Sequence, residues 1–542
     1  MVLTSLFILN LKLILLACKP LFNNGVCIKT IYMNNNIIKF IAMSFAGATL
    51  IVSCSKNLDT TDENNPTQES YFKTASELQN GVNAIYSTLR SANLAGREWF
   101  FIHDMRGGET WTGGSQLEPP RAELLKQASP AATNAVMTSI WNGTYQMINR
   151  ANIVLSKAGE VTDNTALRDR LVGEAKFLRA WAYNELVSMW GDVPLYREPV
   201  AGVSDFKGKS PAADVYASIV NDLKDAIAIL PANYGGGDLG RATKGAANTL
   251  LGRVLMQSND YAGAKTALLQ VYNSGQYSLV ANYAENFTGD VKDGSAVLTV
   301  GNEFNAESIF EVAFVDRGDD DFNWGYIGEG ATAATSTVRN QEYGPVWGNV
   351  IPSDALLNEF EPNDPRYKFT FWEVGDKMLT RGGAVPGSTI TPADLNVDPS
   401  IRNGVSMKRI FKKYSILDWR NPSYHPGGIN QRMMRYADVL LMLAECEAEV
   451  GTPAQAAIYI NQVRARPSVN MTAVVLGSKQ QALAAVMHER LVELSGEEVN
   501  NIDILRWRAK NYYPSIRPDP KPGQVNLFPI PFAETSTNPK IQ

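Results

Sequence analysis

Apolar positions recur at helical spacing through most of the chain. Residues 171–196 carry Phe177, Leu178, Trp181, Ala182, Leu186, Met189 and Trp190 at intervals of three and four. That spacing predicts one buried helical face. Glu174, Lys176, Arg179, Asn184 and Glu185 fall on the other side and predict a polar face. Gly191 allows a left-handed cap, and Pro194 prevents the helix from resuming. Two tryptophans on one face need a thick partner layer, which points to the core helix of a large α-helical domain.

Before it, residues 71–89 form a first helix with Leu78, Val82, Ile85 and Leu89 on one side, and Ser70 and Thr74 as candidate caps. Residues 136–155 form another, with Ile140, Trp141, Tyr145, Ile148, Ala151 and Leu155. Pro211 sits at a first helical turn and opens residues 215–230, which Pro231 ends. Residues 246–257 and 261–272 are joined by Ser258, Asn259 and Asp260. Gly252 lies near the end of one helix, and Tyr261, Ala264 and Ala267 lie on the next. This is the grammar of a tetratricopeptide-like hairpin, and it returns at residues 436–450 and 454–464 around Gly451 and Pro453. Residues 135–190 and 211–230 are candidates for two further hairpins. A final helix is predicted over 480–494, ahead of an irregular tail at 512–542.

Two regions break this pattern. Residues 93–130 lose all periodicity and read as a long loop carrying Trp99, Asp104, Arg106 and Trp111, and loops of that length are often functional. Between 280 and 430, residues 308–314 alternate like a strand. The rest is turn-rich with scattered aromatics, an excursion inserted into the helical scaffold. The fold class is therefore mainly α: a helical-hairpin scaffold with a loop-rich, short-strand excursion, forming one domain over 71–542.

Residues 33–54 are an address. A short polar start with Lys39 and an apolar run end in Ile51, Val52, Ser53 and Cys54, which is a signal peptide with a lipobox. Cys54 is the expected lipidation site, 1–53 the signal segment with Met33 as the true start, and 54–70 a polar tether. Leu15 to Cys18 is also lipobox-like, but the stretch after Cys18 contains a second complete signal. Of the four cysteines, only Cys54 and Cys446 would remain after processing, so a disulfide framework is not supported. Cys446 sits in an apolar helix, where a free buried thiol is expected.

Composition narrows the function classes. With 542 residues, 45% hydrophobic and 19% charged, the chain is ordinary globular protein. A net charge of -5 argues against nucleic acid as the main partner, since no basic excess is available to neutralise phosphates. Gly235 to Gly240 satisfies a GxGxxG pattern, but a helix and Pro231 precede it where a strand is required, so it reads as a flexible turn. The three histidines, His103, His425 and His488, lack partners at metal-ligand spacing, so no metal and no cofactor is expected. GxSxG is absent. Carboxylate pairs for glycoside hydrolysis are spatial and stay open among the 55 acidic residues.

The loop aromatics remain. Sugar rings have apolar faces edged by hydroxyls, which suits flat aromatic side chains beside polar groups. Trp111, Trp324 and Tyr326 are the leading stacking candidates, with Trp99 and Trp347 behind them; Asp104, Arg106 and Asn323 are the polar candidates. The competing reading is that these rings simply pin the loops to the scaffold.

Glu174-Ala175-Lys176-Phe177-Leu178-Arg179-Ala180, then Tyr183, then Trp190-Gly191-Asp192-Val193-Pro194-Leu195, resembles the signature helix of the SusD/RagB family. The resemblance spans nearly the whole mature chain. It includes Trp141-Asn142 with Ile148 to Asn152, Gly240 to Lys244, Asp364-Pro365-Arg366 and Arg435 to Leu441. It continues through Asn461 to Arg466, Glu489-Arg490 with Glu493-Leu494, Asp503 with Arg506-Trp507, and Phe528 to Pro531. One departure stands out: Asn500 and Asn501 occupy places where the family usually has an arginine and an aromatic. The resemblance implies tetratricopeptide-like units and an exposed, loop-built binding face. It also implies a non-catalytic lipoprotein facing outward from the outer membrane of Bacteroidetes. Its partners would be a nutrient glycan and a SusC-like, TonB-dependent transporter. The family's binding residues do not carry over one by one. Peptide or glycoprotein nutrients, a surface-anchored glycoside hydrolase and a periplasm-facing tetratricopeptide scaffold are the alternatives.

Overall fold

A computed structural model describes residues 71–113, 117–287, 290–291, 298–299, 302–314, 337–344, 348–376, 389–390, 392, 409–414 and 428–541. The expectations for the signal segment, Cys54 and the tether lie outside the described residues, as do those for Asn323, Trp324, Tyr326 and Trp347.

The scaffold is α1 (Ala75–Leu89), α2 (Glu98–Asp104), α3 (Pro119–Lys126), α4 (Ala135–Lys157), α5 (Thr165–Trp190), α6 (Ala212–Ile229), α7 (Lys244–Gln257) and α8 (Tyr261–Tyr272). It resumes with α9 (Tyr436–Val450), α10 (Pro453–Arg464), α11 (Lys479–Leu494) and α12 (Asn500–Ala509). Neighbours in sequence are neighbours in space from α4 through α10, with α1 laid against α4 and α11 against α9. This is tetratricopeptide-like packing, as the hairpin grammar predicted. Gly252 shows why the grammar needs a small residue: a Cβ there would sit 2.5 Å from Leu268 Cγ of the facing helix. Of the two candidate caps, Ser70 lies outside the described residues and Thr74 caps α1. Its hydroxyl accepts from Glu77 N at 3.2 Å, and the Glu77 carboxylate accepts from Thr74 N at 2.8 Å.

Helix α5 stops at Gly191 (φ +72°), as expected, but its polar face is not a solvent face. Glu174, Arg179, Asn184 and Glu185 are all buried. Arg179 grips Asp222 of α6 through two bonds of 2.8 Å, and Glu174 accepts from Tyr86 and Arg241 at 3.0 Å each. From Leu171 onward the helix is packed on most sides, so Glu174, Arg179 and Glu185 find partners within the protein instead of water.

Residues 93–130 also depart from expectation. They hold α2, β1 (Thr110–Thr112) and α3, and all seven residues of α2 are buried. At the other end, α12 follows the helix that was expected to be the last.

The excursion contributes β2 (Ser308–Val312), β3 (Val350–Pro352), β4 (Phe371–Trp372) and β5 (Ile410–Phe411), with β6 (Gln431–Arg435) leading into α9. Antiparallel pairs join β1 to β3, β2 to β6 and β4 to β5. A buried ion network seats this region on the helices. Arg435 Nη1 donates to Glu307 and Glu493 at 2.7 Å each, and Arg466 Nη2 reaches Glu493 at 2.8 Å. Arg366 donates to Glu493 at 3.1 Å and also pairs with Glu489. Many of the charged residues that carry the family resemblance meet here. These cations hold the Glu493 carboxyl well below the usual carboxylate range against the opposing cost of burial. No helix among the described residues is long and apolar enough to cross a membrane.

Candidate functional site

The site is built around β1. Its burial alternates, with Thr110 and Thr112 inside and Trp111 only half-buried, because side chains along a strand point to opposite faces. β1 is held in register by β3, with Trp111 opposite Ile351. Thr110 Oγ1 donates to the Asp104 carbonyl at 2.7 Å, and Gly113 N donates to the Asn349 carbonyl at 2.9 Å. Gly113 is required at that crossing: a Cβ would lie 2.1 Å from the Gly348 carbonyl oxygen.

Trp111 rests on a small apolar cluster of Ile351, Trp372, Ile390 and Ile410, separate from the main core. Trp372 and Ile410 are cross-strand partners in β4 and β5. Lys412 places its ammonium 4.2 Å from the centre of the Trp372 ring, a cation–π distance. Lys521 Nζ lies 6.0 Å from the Trp111 ring and donates to the Leu125 carbonyl at 3.1 Å. Burial, reinforced by the nearby Arg106 charge, lowers the Lys521 pKa to about 8. A rigid, half-exposed indole beside a cationic side chain can stack on the apolar face of a ring-shaped ligand.

Three other predicted residues lie inside the fold and present no surface to a ligand. Trp99 is 4% exposed; its Nε1 donates to Glu185 at 2.9 Å, and its ring leans on Trp181. Asp104 is 0% exposed and accepts from the Tyr343 hydroxyl at 2.6 Å. Arg106 is 3% exposed, donates to the Val525 carbonyl at 2.7 Å and lies over the Phe528 ring. Burial and the Arg508 charge lower its pKa to about 9. For these three, pinning the segment to the scaffold is what the structure shows. The i, i+4 spacing of Trp99 and His103 was the available signal, since both side chains meet on Glu185 Oε2.

Sequence reasoning missed Trp372 and Lys412. Nor did it group Asp104 with two other buried acids, Glu109 and Glu498. Glu109, Asp104 and Glu498 are all raised above the ordinary carboxylate range, chiefly by burial. Arg339 is the cation that faces Glu498 and Asp104 there, and it also donates to the Gly496 carbonyl at 2.5 Å. All three acids are buried.

Two family models match this chain. One, the SusD family, matches residues 306–542; the other, described as starch-binding associating with outer membrane, matches residues 121–256. The chain belongs to the SusD/RagB family. Among its SusD relatives is the SusD-like protein P25 of Formosa agariphila, 26% identical over 538 residues, an alignment that spans 93% of this chain and 97% of the relative. A SusD superfamily protein from Bacteroides vulgatus shares the fold, with a TM-score of 0.68 at 23% identity, over 87% of this chain and 99% of that one. Surface glycan-binding protein A from Bacteroides thetaiotaomicron, solved in complex with laminarihexaose, superposes with a TM-score of 0.65 at 20% identity. That match covers 85% of this chain and 97% of the other.

Proposed function

We propose that this SusD-family protein captures a glycan at the cell surface, without hydrolysing it, for uptake through a SusC-like TonB-dependent transporter. The observation that carries the reading is Trp111: an indole left half-exposed on a paired strand and backed by Trp372. The laminarihexaose complex of a protein with the same fold supports a saccharide as the ligand. The lipobox ending at Cys54 supports a lipid anchor, and one matching family model is described by association with the outer membrane. Trp324, Tyr326 and Trp347 are proposed as further stacking residues and Asn323 as a polar contact; Asp104, Arg106 and Trp99 are not.

The test uses the soluble chain from Ser55 onward against plant, host and microbial glycans. Tryptophan fluorescence reports binding, and reducing ends are assayed in the same tubes. Saturable binding without new reducing ends is expected, and Trp111→Ala should weaken it about tenfold or more, equivalent to about 1.4 kcal/mol. New reducing ends would replace capture with hydrolysis. Silence across the panel would turn the reading toward peptide nutrients. Exchange of Cys54 for Ser should release the protein from membranes of the producing cell and abolish labelling by a fatty-acid analogue.

A further inference from the structure

The glycine-rich turn that resembles a nucleotide loop lines a groove elsewhere on the protein. A cavity of about 360 Å³ lies between α1, residues 237–241 and β2, and one of about 220 Å³ adjoins it on the side of residues 232–234 and 276–277. Leu239, Gly240, Arg241, Phe310 and Glu311 line both, so the two are halves of one groove. Gly240, at φ +88°, brings the turn against the Phe304 ring, where a Cβ would be 2.9 Å away.

Two of the charged residues that line this groove, Arg241 and Glu311, are paired within the protein. Arg241 donates to Glu174 at 3.0 Å and to Asp238 at 2.6 Å. Glu311 accepts from Asn430 at 2.9 Å and lies 3.5 Å from Arg432. Arg90, at the α1 end, is the third charged residue of the lining, and the rest is uncharged. Tyr86, Tyr234, Tyr277 and Phe304 supply aromatic surface. Asn233 Nδ2 donates to Gln276 Oε1 at 3.0 Å, which leaves the Asn233 oxygen and the Gln276 nitrogen without a partner among the described residues. The Tyr234 hydroxyl is buried and has no hydrogen-bond partner there. Ring faces combined with uncharged donors and acceptors suit a ligand that is apolar on its faces and hydroxylated at its rim.

We propose that this groove is a second saccharide site, which takes a short neutral oligosaccharide independently of Trp111. The ligand class rests on the capture reading, but the residues do not. An extended peptide is the rival occupant. Ser308 to Glu311 all line the groove, so the edge of β2 faces it, and among the described residues β2 pairs only with β6. A peptide would use that edge, yet it would leave the aromatic and amide groups of the facing wall without a role.

Calorimetry of the soluble chain with laminarihexaose, maltohexaose, cellohexaose and mannohexaose tests this. Leu239 is 51% exposed, so Leu239→Arg can obstruct the groove without disturbing the core; Asn233→Ala with Gln276→Ala, both exposed, is the milder variant. At least one hexasaccharide should bind with two sites per chain. Leu239→Arg should remove one site, the amide pair should weaken that site about tenfold, and Trp111→Ala should remove the other. A single site lost on Trp111→Ala and indifferent to Leu239→Arg overturns the groove and leaves capture standing. A single site lost only on Leu239→Arg keeps the groove and overturns capture at Trp111. No binding of any of the four, or a groove that takes up random-sequence decapeptides and no hexasaccharide, overturns the proposal.

Discussion

Asn500 Nδ2 donates to the Gly107 carbonyl at 2.6 Å, tying the first residue of α12 to the turn that leads into β1. This is one of the two positions where the family usually carries an arginine and an aromatic. Asn500 is buried, and its amide supplies a donor to a buried carbonyl that would otherwise lack one. Asn500→Ala should therefore cost about 1–3 kcal/mol in urea unfolding, because it leaves the Gly107 oxygen desolvated and unpaired. A loss below about 0.5 kcal/mol would mean the contact is incidental.

Asp438 sets part of the acid sensitivity. It is buried between Arg253, at 2.7 Å, and Arg490, at 2.8 Å, and the two guanidinium groups hold its pKa down at about 2. The folded pKa is depressed below the unfolded value of about 3.9, so this stabilisation is present above that value and is lost as pH falls toward 2. Its size is about 2–3 kcal/mol. Asp438→Asn should lower stability at pH 7 and make the decline between pH 4 and pH 2 shallower. An acid limb unchanged in slope would refute the assignment.

Glu109 should act with the opposite sign. Burial, and then the Asp104 and Glu498 charges, raise its pKa well above normal. The folded state therefore holds a proton that the unfolded chain gives up above about pH 4.3, and stability falls as pH rises beyond that point. Glu109→Gln keeps the shape and removes the titration. It should raise the melting temperature at pH 8 and have little effect at pH 5. Equal shifts at both pH values would show that packing, not ionisation, governs the site.

Cys446 is buried in α9, and burial pushes its thiol pKa up. It should be inert to a thiol-specific disulfide reagent in the native protein and react stoichiometrically in 6 M guanidinium chloride. Such reactivity depends on the thiolate, which this setting suppresses. Rapid labelling of the native chain would contradict the packing of α9 against α10 and α11.

Local pattern was enough to place most of the scaffold. The periodicity of Phe177, Trp181 and Trp190, the stop at Gly191 and the turn at residues 258–260 depend on near neighbours and on backbone freedom, both written in short stretches of sequence. What local pattern does not contain is which side chains the assembled fold leaves outside. Trp99 and Trp111 belong to the same aperiodic stretch, and within it only the i, i+4 spacing of Trp99 and His103 sets them apart. Trp99 disappears because Glu185 and Trp181, more than eighty residues away in the chain, close over it; Trp111 stays half-exposed because β3 takes up the edge of its strand and not its ring. The same holds for Glu174 and Arg179, polar by type yet buried because Arg241 and Asp222 come to meet them. Burial is a sum over distant contacts, so the exposed ring, the sealed acids and the groove at Leu239 were decided by the tertiary structure alone.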